Sequence, residues 1–147
     1  FPNHKTEWCY DYTNETVRNE KLSLIREILE DYEADGLELD FMFFPLYFRQ
    51  EETGSNIATM NQFVAQVRAL TQEIGARQSR QIPIMARVWQ RRDDNLGIGI
   101  DVEAWIAAGH PDVVVRWKDG GLAKWIGKPV TLRIRLQNAD LYSFWTA

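Results

Sequence analysis

Two acidic residues stand two positions apart in a short stretch of alternating apolar and charged residues. The stretch spans residues 36–42, and the acidic residues are Glu38 and Asp40. If the stretch forms a strand, Glu38 and Asp40 share one face and the apolar residues share the other. An ionised carboxylate in apolar surroundings must be paired, hydrogen-bonded or protonated, so both side chains should open onto a site or meet cations. Asp40 and Glu38 are therefore the candidate catalytic residues.

Arg87 is a cation that suits this acidic pair. It lies near the end of residues 82–89, a mostly apolar run that predicts another strand. Arg87 shares the parity of Met85, so if Met85 faces inward, Arg87 does too. An inward arginine could form an ion pair that serves structure alone, or it could clamp an anionic group of a substrate. Both alternatives stay open.

Aromatic and basic residues follow the two predicted strands. Tyr47 and Arg49 lie in the segment after the first strand, and Trp89 ends the second. In parallel α/β folds, ligands bind beyond the carboxyl ends of the strands. Tyr47, Arg49 and Trp89 are therefore candidate substrate-binding residues together with Arg87. Large apolar side chains also stabilise loops, so packing is the alternative role for the two aromatic residues.

The elements that must position these residues alternate along the chain. Apolar residues at helical spacing predict three helices, over residues 16–34, from about 56 to about 75, and over 102–106. Thr13 or Asn14 can cap the first helix, Asp101 can cap the third, and the second should fade near Gly75. Strands are predicted at residues 36–42, 82–89 and 112–116. Strands separated by amphipathic helices predict βαβ units and a parallel sheet, hence an α/β fold.

The last thirty residues have a different pattern. Residues 130–136 alternate strictly, residues 137–140 are a turn candidate, and residues 141–145 begin a second strand. This pattern predicts a β-hairpin. We therefore divide the chain into an α/β region, residues 1–116, and a C-terminal β-hairpin segment, residues 117–147.

Composition excludes several classes of protein. The chain has 147 residues, 45% of them hydrophobic, and a formal net charge of −4. We expect no nucleic-acid partner, because binding to phosphate backbones needs a basic surface. We expect no membrane insertion, because no apolar run approaches the roughly 20 residues of a spanning helix. One cysteine and two histidines give no zinc spacing, and no glycine-rich fingerprint indicates a dinucleotide, so we expect no metal and no cofactor.

Four stretches of the chain resemble a bacterial family of glycoside hydrolase-like (β/α)₈ barrel proteins, often described as family-ten-like. These stretches are residues 10–14, 24–32, 35–42 and 99–105, and the run Asp35-Gly36-Leu37-Glu38-Leu39-Asp40-Phe41-Met42 is the most specific of them. The resemblance implies a partial (β/α) barrel with residues 36–42 as its fourth strand. It also implies a glycan as the substrate, with Asp40 and then Glu38 in the position of the acidic catalytic residue.

Length separates two functional alternatives. A complete barrel takes about 250 residues, and the similarity covers the middle strands only. The sequence is therefore expected to be a piece of a longer protein or a shortened relative. An incomplete parallel sheet exposes its edges, so we also expect a homo-oligomer. The alternatives are a hydrolase acting on a glycan through strand-end carboxylates, and a non-catalytic protein that binds carbohydrate or assembles with itself.

Overall fold

Helices and short strands alternate along the described part of the chain. The structure, a computed structural model, describes residues 9–32, 34–42 and 45–115. The helices are α1 (Glu15–Asp31), α2 (Ile57–Gln78), α3 (Arg92–Leu96) and α4 (Val102–Ala107), and the strands are β1 (Leu37–Asp40), β2 (Ile84–Arg87) and β3 (Val113–Val115). None of the described helices is long and apolar enough to cross a membrane.

The three strands form an open, fully parallel sheet in the order β1-β2-β3. The register aligns Glu38 with Met85 and Asp40 with Arg87 across the first pair. The mixed α/β fold with parallel strands was predicted from the alternation of the sequence pattern, and it is confirmed. The predicted C-terminal hairpin and the boundary at residues 116 and 117 lie outside the described residues.

The core lies between the sheet and the two long helices. Alternate residues of β2, Ile84 and Ala86, are at most 1% exposed, because a strand sends successive side chains to opposite faces. They join Leu29 of α1 and Met60 of α2, both fully buried, in one apolar cluster. The two long helices therefore cover the apolar face of β1 and β2. Because side chains alternate along a strand, Glu38, Asp40 and Arg87 lie on the opposite face.

Local capping sets where α1 and α4 begin. The Asn14 side chain accepts a hydrogen bond from the Thr16 amide at 2.9 Å, and the Asp101 side chain accepts one from the Ala104 amide at 3.0 Å. Each carboxylate or amide oxygen satisfies a backbone donor that the first helical turn leaves free. The predicted start of both helices is confirmed.

The predicted end of the second helix is wrong. Helix α2 continues through Gly75 to Gln78 and ends at Ser79, which adopts a left-handed conformation with φ of 54°. Gly75 serves a close approach instead of a helix end, since a β-carbon there would lie 2.6 Å from the Arg80 carbonyl oxygen. The chain therefore folds back tightly over the last turn of α2.

Three further elements, two 3₁₀ turns and the short helix α3, were not predicted. The polar residues 50–56 contain two 3₁₀ turns, Gln50–Glu52 and Gly54–Asn56. Thr53 joins them and is 8% exposed, and its hydroxyl donates to the Arg49 carbonyl oxygen at 3.2 Å. The short helix α3 also had no periodic signal, because five residues are too few to show one.

Candidate functional site

The predicted acidic residues and Arg87 meet on the open face of the sheet. Glu38 and Asp40 alternate with the partly buried Leu37 and Leu39, as the period of two predicted. Arg87 is the last residue of β2 and the register partner of Asp40. We refer to Glu38, Asp40 and Arg87 as the acidic cluster.

One guanidinium serves both carboxylates of the acidic cluster. The Arg87 Nη2 atom lies 2.5 Å from Glu38 Oε1, and the Nη1 atom lies 3.6 Å from Asp40 Oδ2. The second oxygen of Asp40, Oδ1, accepts a hydrogen bond from the Met42 amide at 2.8 Å. This backbone bond fixes the carboxylate beyond the end of β1, so Asp40 is oriented even before any ligand arrives.

The face that carries the acidic cluster is open to solvent in the described part of the chain. The side chains of Glu38, Asp40 and Arg87 are 31%, 38% and 48% exposed. Val113 of β3, next to Met85 in the register, is 51% exposed. Parallel sheets ordinarily have both faces covered, so an open face with three charged groups is a surface on which a polar ligand can bind.

Tyr47 lies deeper than its predicted position at the mouth of a site. It is 9% exposed and packs edge-to-face against Tyr12 and Phe41, with ring centroids 5.6 and 5.7 Å away. Its hydroxyl is buried and has no hydrogen-bond partner among the described residues. Burial raises the pKa of the Tyr47 hydroxyl, and the charges of Tyr12 and Asp40 raise it further. Tyr47 therefore stays a neutral phenol near Asp40.

A cavity of about 520 Å³ opens beside Tyr47, and we refer to it as the Tyr47 cavity. Its wall combines apolar and polar side chains and includes Asp11, Pro45, Tyr47, Phe48, Arg49 and Ile98. This volume falls within the range of small-molecule sites, which hold a few polar groups on a largely apolar lining. Tyr47 and Arg49, both predicted to bind substrate, thus share one cavity.

Gly99 allows two segments beside the Tyr47 cavity to pack closely against each other. Gly99 has a φ of 85°, and a β-carbon there would lie 2.7 Å from the Phe48 ring. Both the positive φ and the contact exclude larger residues. The turn at residues 97–99 is therefore held against the segment that carries Phe48 and Arg49.

The Asn95 side chain holds the backbone at Trp89, just after β2. The Trp89 backbone amide donates to the Asn95 side chain at 2.9 Å, and its carbonyl oxygen accepts from the same side chain at 2.8 Å. Among the described residues, Trp89 has no hydrogen bond, ion pair or ring contact with the acidic cluster, Tyr47 or Arg49. Of the six predicted residues, three thus form the acidic cluster and two line the Tyr47 cavity, and Trp89 makes none of these contacts among the described residues.

Sequence reasoning missed three residues that build this region. Asn95 is 4% exposed and fixes the loop after β2, Asp11 lines the Tyr47 cavity, and Tyr12 packs on Tyr47. A buried asparagine in a polar run gives no sequence signal, since its role depends on the backbone groups that tertiary folding brings to it. Tyr10 to Asn14 did carry a signal, because they belong to the stretches that resemble the barrel family.

The chemistry available at the acidic cluster is that of two carboxylates and one guanidinium. Carboxylates accept hydrogen bonds from hydroxyl groups, and a guanidinium donates several in a fixed plane. The described residues contain no group of three or more histidine, cysteine, aspartate or glutamate side chains able to hold a metal ion. The arrangement can therefore bind a ligand rich in hydroxyl groups through direct hydrogen bonds.

Comparison with known proteins leaves the family open. No protein-family model matches the chain, and no curated protein is significantly similar to it. The resemblance to glycoside hydrolase-like barrels stays a prediction.

Proposed function

We propose that this chain acts on a glycan at the acidic cluster, with Asp40 as the catalytic carboxylate of a glycoside hydrolase-like site. One observation carries the proposal: two carboxylates and an arginine converge at the carboxyl ends of neighbouring parallel strands, on the face open to solvent. Ligands of parallel α/β folds bind at that end. In this role Glu38 binds sugar hydroxyls beside Asp40, and Arg87 orients both carboxylates.

A barrel-type sheet supports this assignment of faces. In a (β/α) barrel the helices lie outside, and side chains on the alternate positions of each strand face the interior. Strands β1, β2 and β3 are consecutive and parallel, their apolar face packs on α1 and α2, and the acidic cluster lies on the opposite face. We propose that the sheet is the middle part of such a barrel and that the open face corresponds to its interior.

Hydrolysis requires two carboxyl groups on either side of the scissile bond, about 5 to 9.5 Å apart. Glu38 and Asp40 lie on one strand, about 7 Å apart by the rise of two residues. The ordinary mechanism takes its pair from different strands, and the partner positions on β2 and β3 are Arg87 and Val115. A second catalytic carboxylate would come from sequence or subunits that complete the sheet.

A non-catalytic glycan-binding protein is the second candidate. The ion pairs of Arg87 with both carboxylates favour this candidate. The acidic cluster is then a hydrogen-bonding surface, and no second acid lies opposite Asp40 on β2 or β3 in the described residues. Binding needs only that surface, whereas hydrolysis needs the second carboxylate. The two candidates therefore share one site and differ in turnover.

The substitution Asp40→Asn tests both candidates. If Asp40 is catalytic, the release of reducing ends from a glycan panel should fall by about a hundredfold or more. The melting temperature should stay unchanged, because the side chain is 38% exposed and asparagine can still accept the Met42 amide. The matched control is Glu103→Gln, which alters an exposed carboxylate paired with Arg92 at 3.0 Å.

The outcomes separate the candidates. Full hydrolytic activity in the Asp40→Asn variant contradicts the catalytic role. Binding without hydrolysis by the unaltered chain, lost in Asp40→Asn and kept in Glu103→Gln, supports the non-catalytic protein. Absence of binding to every glycan of the panel contradicts both.

Self-association is part of the proposal. Strands β1 and β3 are the outer strands of the described sheet, and an outer strand presents unpaired backbone donors and acceptors. We expect the chain to form a homo-oligomer that covers these edges. Light scattering after size-exclusion chromatography measures the mass, and a well-folded monomer at micromolar concentration contradicts the expectation.

A further inference from the structure

An arginine, Arg49, lines the Tyr47 cavity and makes no ion pair within 4 Å with another described residue. Nine arginines lie in the described part of the chain, and Arg49 is the one whose guanidinium forms neither a hydrogen bond nor an ion pair within 4 Å. Arg49 is exposed and lines the Tyr47 cavity. A guanidinium at a cavity wall with no partner of its own is available to a ligand.

The nearest carboxylate of the Tyr47 cavity is already engaged. Asp11 Oδ1 accepts hydrogen bonds from the Thr13 amide at 2.9 Å and the Thr13 hydroxyl at 2.7 Å. The Thr13 side chain is the main cause that holds the pKa of Asp11 below its ordinary value, and the charge of Arg49 contributes least. Asp11 therefore stays ionised and hydrogen-bonded to Thr13, and it forms no ion pair within 4 Å with Arg49.

The planar shape of the Arg49 guanidinium favours a carboxylate as its ligand. A guanidinium is a planar fork that binds a carboxylate through two parallel hydrogen bonds. Arg49 and Asp11 are the two charged residues among those that line the Tyr47 cavity, so the cavity offers one cation, which suits a ligand with one anionic group. The ligand class is thus a molecule with one carboxylate and many hydroxyl groups.

The size and lining of the Tyr47 cavity fit a sugar ring. A cavity of about 150 Å³ holds a six-membered ring, and the Tyr47 cavity has about 520 Å³. Pro45, Phe48 and Ile98 offer apolar surface to the C–H face of a pyranose. Tyr47 lines the Tyr47 cavity and also lies close enough to the acidic cluster for the charge of Asp40 to raise the pKa of its hydroxyl.

We propose that the Tyr47 cavity binds a uronic acid unit of the glycan and that Arg49 pairs with its carboxylate. This inference rests on the proposed function and names its substrate class. Arg49 acts as a specificity-determining residue, whereas Asp40 acts on the glycosidic bond of the sugar held beside it.

The test compares acidic oligosaccharides with their neutral counterparts. The probes are oligosaccharides of glucuronic or galacturonic acid and the same compounds after reduction of each carboxylate to an alcohol. Isothermal titration calorimetry on the full chain should give at least tenfold tighter binding of the acidic probes. Arg49→Gln should remove that tenfold preference and leave the neutral probes unchanged, while Arg49→Lys should keep part of it because lysine retains the charge.

Arg91→Gln is the matched control, because Arg91 is 73% exposed and reaches Asp94 only at 4.0 Å. It should bind both probe sets as the unaltered chain does. Equal affinity of the unaltered chain for acidic and neutral probes overturns the inference and leaves the proposed function intact. Equal weakening of both sets by Arg49→Gln, or a preference for sulfated over carboxylated probes, also overturns it. Absence of binding to any probe overturns the inference and the proposed glycan site together.

Discussion

Two clusters of arginine and carboxylate lie at opposite ends of the same strands, and they use the same chemistry differently. At the amino end, Asp112 Oδ2 accepts the Ile84 amide and an Arg68 Nη2 bond, both at 2.7 Å. Arg68 also donates from Nε to the His110 carbonyl oxygen at 2.6 Å. At the carboxyl end, Arg87 meets Glu38 and Asp40 on the open face.

The difference lies in what each charge is bonded to. The cluster at the amino end ties helix α2 to the backbone of β2 and to the residues before β3, and the Arg68 side chain is 14% exposed. The acidic cluster joins side chains of adjacent strands and takes one backbone bond, from Met42. Charges bonded to buried backbone stabilise the fold, whereas charges bonded to one another on an open face remain available to a ligand.

Replacing one arginine in each cluster should lower the free energy of unfolding by clearly different amounts. Arg68→Ala should lower the free energy of unfolding by about 2 kcal/mol, because it leaves the His110 carbonyl oxygen and Asp112 without a charged donor. Arg87→Ala should lower it by no more than about 0.5 kcal/mol, since its ion pairs are about half exposed. Urea denaturation of both variants measures the difference.

The order of the two effects should reverse when ligand affinity is measured in place of stability. Arg87→Ala should weaken glycan binding, and Arg68→Ala should leave the affinity of the folded protein unchanged. Equal losses of stability in the two variants would contradict the division into a structural and a functional cluster.

A smaller effect should appear in the pH dependence of stability. Burial alone would raise the pKa of Asp112, but the Ile84 amide and then Arg68 outweigh it and hold the pKa below its ordinary value of 3.8. A lowered pKa contributes stability above pH 3.8 that is lost as the pH falls through the folded-state value. Asp112→Asn should therefore cost no more than about 0.5 kcal/mol at pH 7, because the Asp112 side chain is 45% exposed and water screens its charge.

That loss should shrink as the pH falls below 3.8 and through the lower folded-state pKa of Asp112, because the unaltered side chain then becomes protonated as well. Unfolding free energies of the two proteins, measured from pH 7 down to the lowest pH at which both still fold, follow the trend. A difference that stays constant as the pH falls below 3.8 contradicts the assigned role of the Asp112 charge.

Much of the fold could be predicted because its signals are local. Side-chain oxygens at Asn14 and Asp101 bond amides within three residues, so the starts of α1 and α4 follow from short sequence. The alternation around β1 likewise assigned Glu38 and Asp40 to one face. Arg87 could be matched to them because strand parity carries over to the register of neighbouring strands.

Tertiary contacts decided the positions that local signals left open. Gly75 lies inside α2, where the Arg80 carbonyl oxygen leaves no room for a β-carbon, whereas a glycine by its sequence alone suggests a helix end. Asn95 binds both backbone groups of Trp89 and so fixes the loop after β2. Neither contact has a sequence pattern, because each depends on the neighbour that folding supplies.

Periodicity and capping act over a few residues, so short stretches of the sequence are enough to predict the alternating α/β elements, the parallel strands and the shared face of Glu38, Asp40 and Arg87. The burial of Tyr47, the bonds between Thr13 and Asp11 and the position of Arg49 at the wall of a cavity follow from tertiary contacts. Burial and pairing depend on every group that surrounds a side chain, and those groups come from distant parts of the chain.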